Sequence, residues 1–218
     1  MTALVRYRLA VLLHSQRWLP PLFLNLVALA VLTSSDSGPL LSSYAVAAGA
    51  EFVCGVWLTA ALVNAESPVG RAVTGVNAGG PERVWAGDAL AGLAACAAPA
   101  VLGLGYPVVA GNHPSVTAAQ LGVGALAMAG CACAAVSVGL LTSRPVIGRP
   151  GAAVLAAVAA VVLLLLVTWI PPVHETLTLL AAGRTAAGVG LPIAGLAAGG
   201  AVLLALCTLA ASRRAGRG

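Results

Sequence analysis

The residues able to do chemistry are few in this chain, and their spacing assembles almost no site. Glu51 is the most informative of them. It stands alone in an apolar run from about Leu41 to Asn64, and a carboxylate near mid-bilayer costs at least ~2.5–3.5 kcal/mol on insertion scales. Such a group must face a cavity, a partner dipole or a neighbouring helix. Glu51 therefore either lines a pathway and relays protons, or fixes packing through an interhelical hydrogen bond. Trp57, on the same stretch, carries the same two readings of pathway or packing. His174–Glu175 has no second His at helical spacing, so the metalloprotease pattern fails. No GxSxG elbow is present, and the Ser and Thr residues have no nearby His–acid partners. The five cysteines (54, 96, 131, 133 and 207) all fall in apolar stretches and read as small buried residues. Cys131 and Cys133 point to nearly opposite sides of a helix, so no metal site is expected there. His113 and His174 read as polar loop residues. No catalytic residue is assigned.

Energy conversion is constrained by an absence. The chain contains no Lys, so all eleven basic residues are Arg. A P-loop needs a Lys to reach the nucleotide phosphates, and a Walker A motif is therefore excluded. ATP-driven work here would require an ATPase on a separate chain.

The elements that must position these residues follow from composition. Of 218 residues, 60% are hydrophobic and 8% charged, and mean hydropathy is +1.01; a soluble domain carries roughly 25% charged residues. Lipid is the solvent that suits such a surface. The net charge of +5 does not point to nucleic acid, because the Arg residues are scattered between apolar stretches rather than gathered in a stripe. Arg-only basicity with heavy Ala, Gly and Val usage suggests a bacterial source. The first 17 residues lack the apolar core of a cleavable signal.

Six spans are expected: about Trp18–Ser34, Leu41–Asn64, two within residues 89–143, Ala152–Ile170 and Leu191–Ala211. Residues 89–143 hold no Asp, Glu, Lys or Arg and suffice for two crossings of ~20 residues. Tyr106, Pro107, Gly111, Asn112 and Pro114 supply the turn between them. With six spans, ten Arg fall on one side and only Arg184 on the other, which places both termini in the cytoplasm of a bacterial plasma membrane protein. Asp88 then lies close to the cytoplasmic interface, where an acid is cheap, and reads as structural.

Residues 1–17 read as an amphipathic interfacial helix, with Val5, Leu9, Leu12 and Leu13 on one face and Arg6, His14 and Arg17 on another. Residues 18–218 form the transmembrane domain. Within it, residues 64–84 carry their own helix signals: Ser67 as N-cap, Pro68 at the first position, and Gly79–Gly80–Pro81 as a stop. The spacing predicts a cytoplasmic helix of about 11 residues. Residues 171–190, on the outer side, are mildly apolar and Gly-interrupted, as a re-entrant or interfacial hairpin would be. Ala152, Ala156 and Ala160, and likewise Gly195 and Gly199, repeat at the spacing that lets helices approach.

In layout the chain resembles the membrane subunit of ABC-2 type (type V-like) ABC transporters. The likeness rests on the N-terminal helix Arg6–Arg17 with Trp18–Leu19–Pro20, and on Asn77–Ala78–Gly79–Gly80–Pro81–Glu82–Arg83 after span two. It rests also on the Arg-bearing turn Arg144–Arg149 and on the outer segment before span six. The resemblance implies an elbow helix along the inner leaflet, and a coupling helix that contacts a nucleotide-binding ATPase subunit. The contact residues it implies are Glu66, Pro68, Arg71, Asn77, Gly79, Gly80, Pro81, Glu82 and Arg83, with Arg144 and Arg149 as a secondary contact. It further implies a pair of membrane subunits, identical or not, enclosing an export pathway, with ATP and Mg bound by the partner and no cofactor in this chain. Two other readings compete: an ion-coupled secondary transporter using Glu51, and a noncatalytic membrane scaffold or accessory subunit.

Overall fold

The computed structural model describes residues 1–33, 38–111, 113, 115–167 and 172–215, and every regular element among them is a helix. In chain order these are α1 (Thr2–His14), α2 (Leu19–Thr33), α3 (Leu40–Val63), α4 (Pro68–Ala78), α5 (Pro81–Ala110), α6 (Ala118–Leu141), α7 (Arg144–Ile147), α8 (Pro150–Leu166), α9 (Val173–Ala181) and α10 (Ala186–Ala215). Four of them, α3, α5, α6 and α10, are long and apolar enough to cross a membrane. At 1.5 Å per residue the 24 residues of α3 and of α6 reach about 36 Å, against a hydrocarbon core of ~30 Å. Helices α2 and α8 are apolar but shorter, at 15 and 17 residues. The expected ends of the first and fifth spans fall on residues 34 and 168–170, outside the described residues, as do Asn112, Pro114 and Pro171.

Helices α3 and α6 form the middle of the bundle; α3 packs on α2, α5, α6 and α9, and α6 packs on α10. Small residues permit this closeness. A Cβ on Gly139 would stand 2.5 Å from Thr59 Cβ, and one on Gly55 would stand 2.8 Å from Ala135 Cβ. Between α6 and α10 the approach is made at Gly130, against Ala197, and at Gly200, against the Gly130 carbonyl. The small-residue stripes expected from the sequence are placed differently. Gly195 and Gly199 face open space, Ala152 is exposed, and Ala160 packs against the core.

Several boundaries also differ. Helix α5 begins at Pro81, directly after the Gly79–Gly80 turn, rather than near residue 89, because the polar segment 82–88 continues the backbone ladder of the apolar one. Pro99 and Pro107 lie inside it and are buried, so the expected turn at Tyr106–Pro107 begins instead at Gly111. Residues 171–190 contain α9, whose Val173, Thr176 and Leu180 are buried, and a Gly183 turn at φ +66°. On α1 the packed face carries Arg8 and Leu12, while Leu13 is exposed. The helix ends at His14 rather than at residue 17.

One end of the bundle collects Leu12, Val63, Trp85, Val146 and Ala211 in one apolar cluster. The start of the chain, the α3–α4 and α6–α8 connections and the end of α10 therefore share that end, with Arg8, Arg17, Arg71 and Arg144. At the other end the His113 ring Nδ1 lies 3.0 Å from the Gly38 carbonyl.

Candidate functional site

Helix α4 stands at the Arg-rich end and buries none of its residues. Its ends are fixed by local chemistry. The Ser67 hydroxyl accepts from the Gly70 N–H at 3.1 Å, and Pro68 follows at the first helical position. At the other end Gly79 adopts φ +80°, which admits the Gly80 N–H to the Gly75 carbonyl (2.9 Å) and the Gly79 N–H to that of Val76 (3.2 Å). This is a Schellman closure, and a side chain at Gly79 would be strained. Arg83 Nη1 donates to the Ala78 carbonyl at 3.1 Å, so the next helix helps cap this one. The predicted 11-residue helix is thus present, over Pro68–Ala78. Along it Val69, Val73 and Val76 make an apolar stripe and are 75%, 56% and 83% exposed.

A buried quartet of charges ties α4 to the bundle. Asp88 of α5 accepts a hydrogen bond from Arg71 at 2.7 Å on one oxygen, and its other oxygen forms an ion pair with Arg8 Nε at 2.7 Å. Arg8 also pairs with Glu66, whose second oxygen accepts from the Thr74 hydroxyl at 2.6 Å. The Arg71 guanidinium lies 4.5 Å over the Trp85 ring, a cation–π contact. Two arginines meet two acids, so the quartet is formally neutral and largely shielded from water. Gly87 makes the docking of α1 possible, since a Cβ there would lie 2.4 Å from Leu4 Cδ2. Helices α1, α4 and α5 are thereby joined through one set of charges.

Beside α4 lies a hollow of about 1180 Å³, walled by the end of α3, by α4, by the start of α5 and by α7. The structure brings Glu66, Pro68, Arg71, Gly79, Gly80, Pro81 and Arg144 to its walls. Within this group Glu66 and Arg71 are engaged inward by the quartet. Asn77 and Arg83 instead line a second hollow, between α1 and α4. Glu82 and Arg149 are exposed and line neither. The backbone N–H of Arg144 donates to Asn64 Oδ1 at 2.9 Å, which holds the α6–α8 turn against the end of α3.

Glu51 is fully buried on α3, and neither carboxylate oxygen has a hydrogen-bond partner among the described residues. One and two turns on, Gly55 and Thr59 meet α5 and α6 closely. The Thr59 hydroxyl and the Asn25 amide on α2 are likewise buried without partners among the described residues. The interhelical hydrogen bond expected as one role of Glu51 is therefore missing among the described residues. Trp57 is half exposed and lines a groove between α3 and α8. No group of three or more His, Cys, Asp or Glu among the described residues is placed to hold a metal ion, and the five cysteines are free.

Sequence reasoning missed Arg8 and Asp88 as partners. One signal was available: residues 71 and 88 are equidistant from the Gly79–Gly80 turn, so a tight helical hairpin sets them opposite each other. No comparable signal links Arg8 to Asp88. Comparison of the chain with protein-family models, curated proteins and solved structures finds no match.

Proposed function

We propose that this chain is the membrane subunit of an ATP-driven exporter of the ABC-2 type, with α4 as the helix that couples it to a separate ATPase chain. The observation that carries the reading is α4 itself. It is a capped helix outside the bundle, with the exposed stripe Val69–Val73–Val76 on its outer side and a charge quartet at its base. A stripe of that kind, left open by the fold, suits docking into a groove of a partner. The quartet makes the helix a lever, because force on α4 passes through Arg71 and Asp88 into α5, and through Glu66 into α3 and α1.

In this reading α2, α3, α5, α6, α8 and α10 are six crossings, and the termini are cytoplasmic in the bacterial plasma membrane. Helix α1 is the inner-leaflet elbow and α9 a shallow outer re-entrant segment. Two such subunits enclose the pathway, and the ATPase binds ATP and Mg. The exposed members of the implied contact set, Pro68, Asn77, Gly79, Pro81, Glu82, Arg83, Arg144 and Arg149, border the docking surface. Glu66 and Arg71 act as its anchors.

The test is co-purification in detergent with the ATPase encoded beside this gene, followed by an ATPase assay. Wild-type protein should retain the partner and change its turnover. Val73→Glu and Val76→Glu, both at exposed positions, should abolish retention without altering the elution of the membrane chain. Undiminished capture by both variants would remove the proposal.

The Glu51 carboxyl, without a hydrogen-bond partner among the described residues, favours a second reading, an ion-coupled carrier. In that case Glu51→Gln would abolish proton-gradient-driven uptake in vesicles containing no ATPase, whereas in the first reading such vesicles show no uptake at all.

A further inference from the structure

A second feature lies on the membrane-facing side, where α8 stands off α3 and leaves a groove of about 560 Å³. Only Ala153 of α8 is buried. The volume falls within the ~300–1,000 Å³ of small-molecule sites. The walls run from Val53 to Asn64 on α3 and from Pro150 to Val162 on α8. At 1.5 Å per residue both walls are about 16–18 Å long, which matches half of a ~30 Å hydrocarbon core. The groove is thus one leaflet deep. It is apolar along its length, with Trp57 in one wall, and its polar groups are gathered at the Arg-rich end.

That end carries Arg144, the only ionisable side chain among the described residues of the lining. Arg144 is exposed and its guanidinium has no partner among the described residues. It also borders the large hollow beside α4, so it sits where the apolar groove meets the polar end. Arg149, exposed as well, precedes α8 by one residue. Among the described residues no acid lines the groove. A leaflet-deep apolar slot ending in unpaired positive charge complements one ligand class: an amphiphile with a hydrocarbon chain and an anionic head.

We propose that the α3–α8 groove is a binding site for an anionic phospholipid of the leaflet at the Arg-rich end. One acyl chain lies along Trp57, and the phosphate is held by Arg144. The site is independent of any ATPase, so it stands or falls separately from the exporter reading.

The whole chain, without partner, is reconstituted into phosphatidylcholine vesicles containing brominated phosphatidylglycerol or an equal fraction of brominated phosphatidylcholine. Trp57 emission is taken as the difference between wild type and Trp57→Phe. Brominated phosphatidylglycerol should quench Trp57 with about fivefold higher apparent affinity, the factor one basic side chain contributes at an anionic surface. Arg144→Gln should equalise the two lipids and Arg144→Lys should keep the preference. Ala60→Leu, which narrows the groove, should weaken quenching by both. Unbrominated phosphatidylglycerol should restore the emission of wild type, and this competition decides the matter if Arg144→Gln does not fold. Equal quenching by both lipids in wild type would mean ordinary surrounding lipid and overturn the proposal. Protection of Trp57 from both would mean that a second copy of the chain covers the groove, and would overturn it too.

Discussion

Asp88 lies between two guanidinium groups with none of its side chain exposed. Burying charges is costly, and in this set the opposite charges offset one another at close range although Arg8 Nε, Arg8 Nη2, Arg71 Nη1 and Asp88 Oδ1 make no hydrogen bond among the described residues. Removing one member leaves the others desolvated and uncompensated, which costs about 3–5 kcal/mol. Asp88→Asn should therefore lower the free energy of unfolding measured by sodium dodecyl sulfate titration by an amount in that range, while Asp88→Glu should recover part of it. Glu51 presents the opposite case, since it has no hydrogen-bond partner among the described residues to lose. An unsatisfied buried polar group costs about 1–3 kcal/mol, so Glu51→Leu should leave the same unfolding free energy unchanged or raise it by up to that amount. A drop in stability would show that the carboxyl has a packing partner. A stable variant that no longer transports would assign the carboxyl to function, since residues that cost stability concentrate at functional sites.

The elements at the Arg-rich end are set by caps more than by packing. Helix α4 has no buried residue, so Ser67, Pro68 and the Gly79–Gly80 closure carry much of its definition. Gly79 sits at φ +80°, and a Cβ there would come within 2.8 Å of Arg83 Nη1. A non-Gly residue in this left-handed region costs about 1–2 kcal/mol. Gly79→Ala should accordingly speed amide exchange across residues 68–80 roughly five- to thirtyfold, a factor corresponding to that cost. Exchange in α6, at the bundle centre, should be unaffected. Apolar periodicity placed α1 well and marked its packed face, since Val5, Leu9 and Leu12 lie against the bundle, but it left Arg8 out of that face and put Leu13 in it. Arg8 turns inward because Glu66 and Asp88 await it, and Leu13 turns outward, where lipid is an acceptable neighbour.

For the whole molecule, the arrangement of ends carries the topology. The chain start, α4, α7 and the end of α10 share one end of the bundle, and the turn at Gly183–Arg184 is remote from that cluster in sequence and lies beyond α9. Under six crossings, a membrane-impermeant maleimide added to right-side-out vesicles should label Arg184→Cys and spare Glu82→Cys and Gly148→Cys. Inverted vesicles should reverse the pattern. Label at Glu82→Cys and Arg184→Cys from the same side would contradict six crossings.

Local rules reach some of these features and stop before others. The bounds of α4 were legible because a hydroxyl cap, a first-position proline and a left-handed glycine act within a few residues. The apolar helices were legible for the same reason, as hydropathy is a property of a window. Their extents were not: α5 runs on through 82–88 and past Pro107, because helical hydrogen bonding continues wherever the packed bundle supplies partners. The pairing of Arg8 with Asp88 joins residues 80 positions apart, and only the docking of α1 onto Gly87 brings it about. The isolation of Glu51 is likewise a statement about every surrounding helix at once. Sequence alone determined that this chain is helical, apolar and furnished with a capped polar helix between two long apolar ones. Tertiary structure decided which charges meet, which stand alone and where α8 leaves a groove, because those depend on distances that no local pattern encodes.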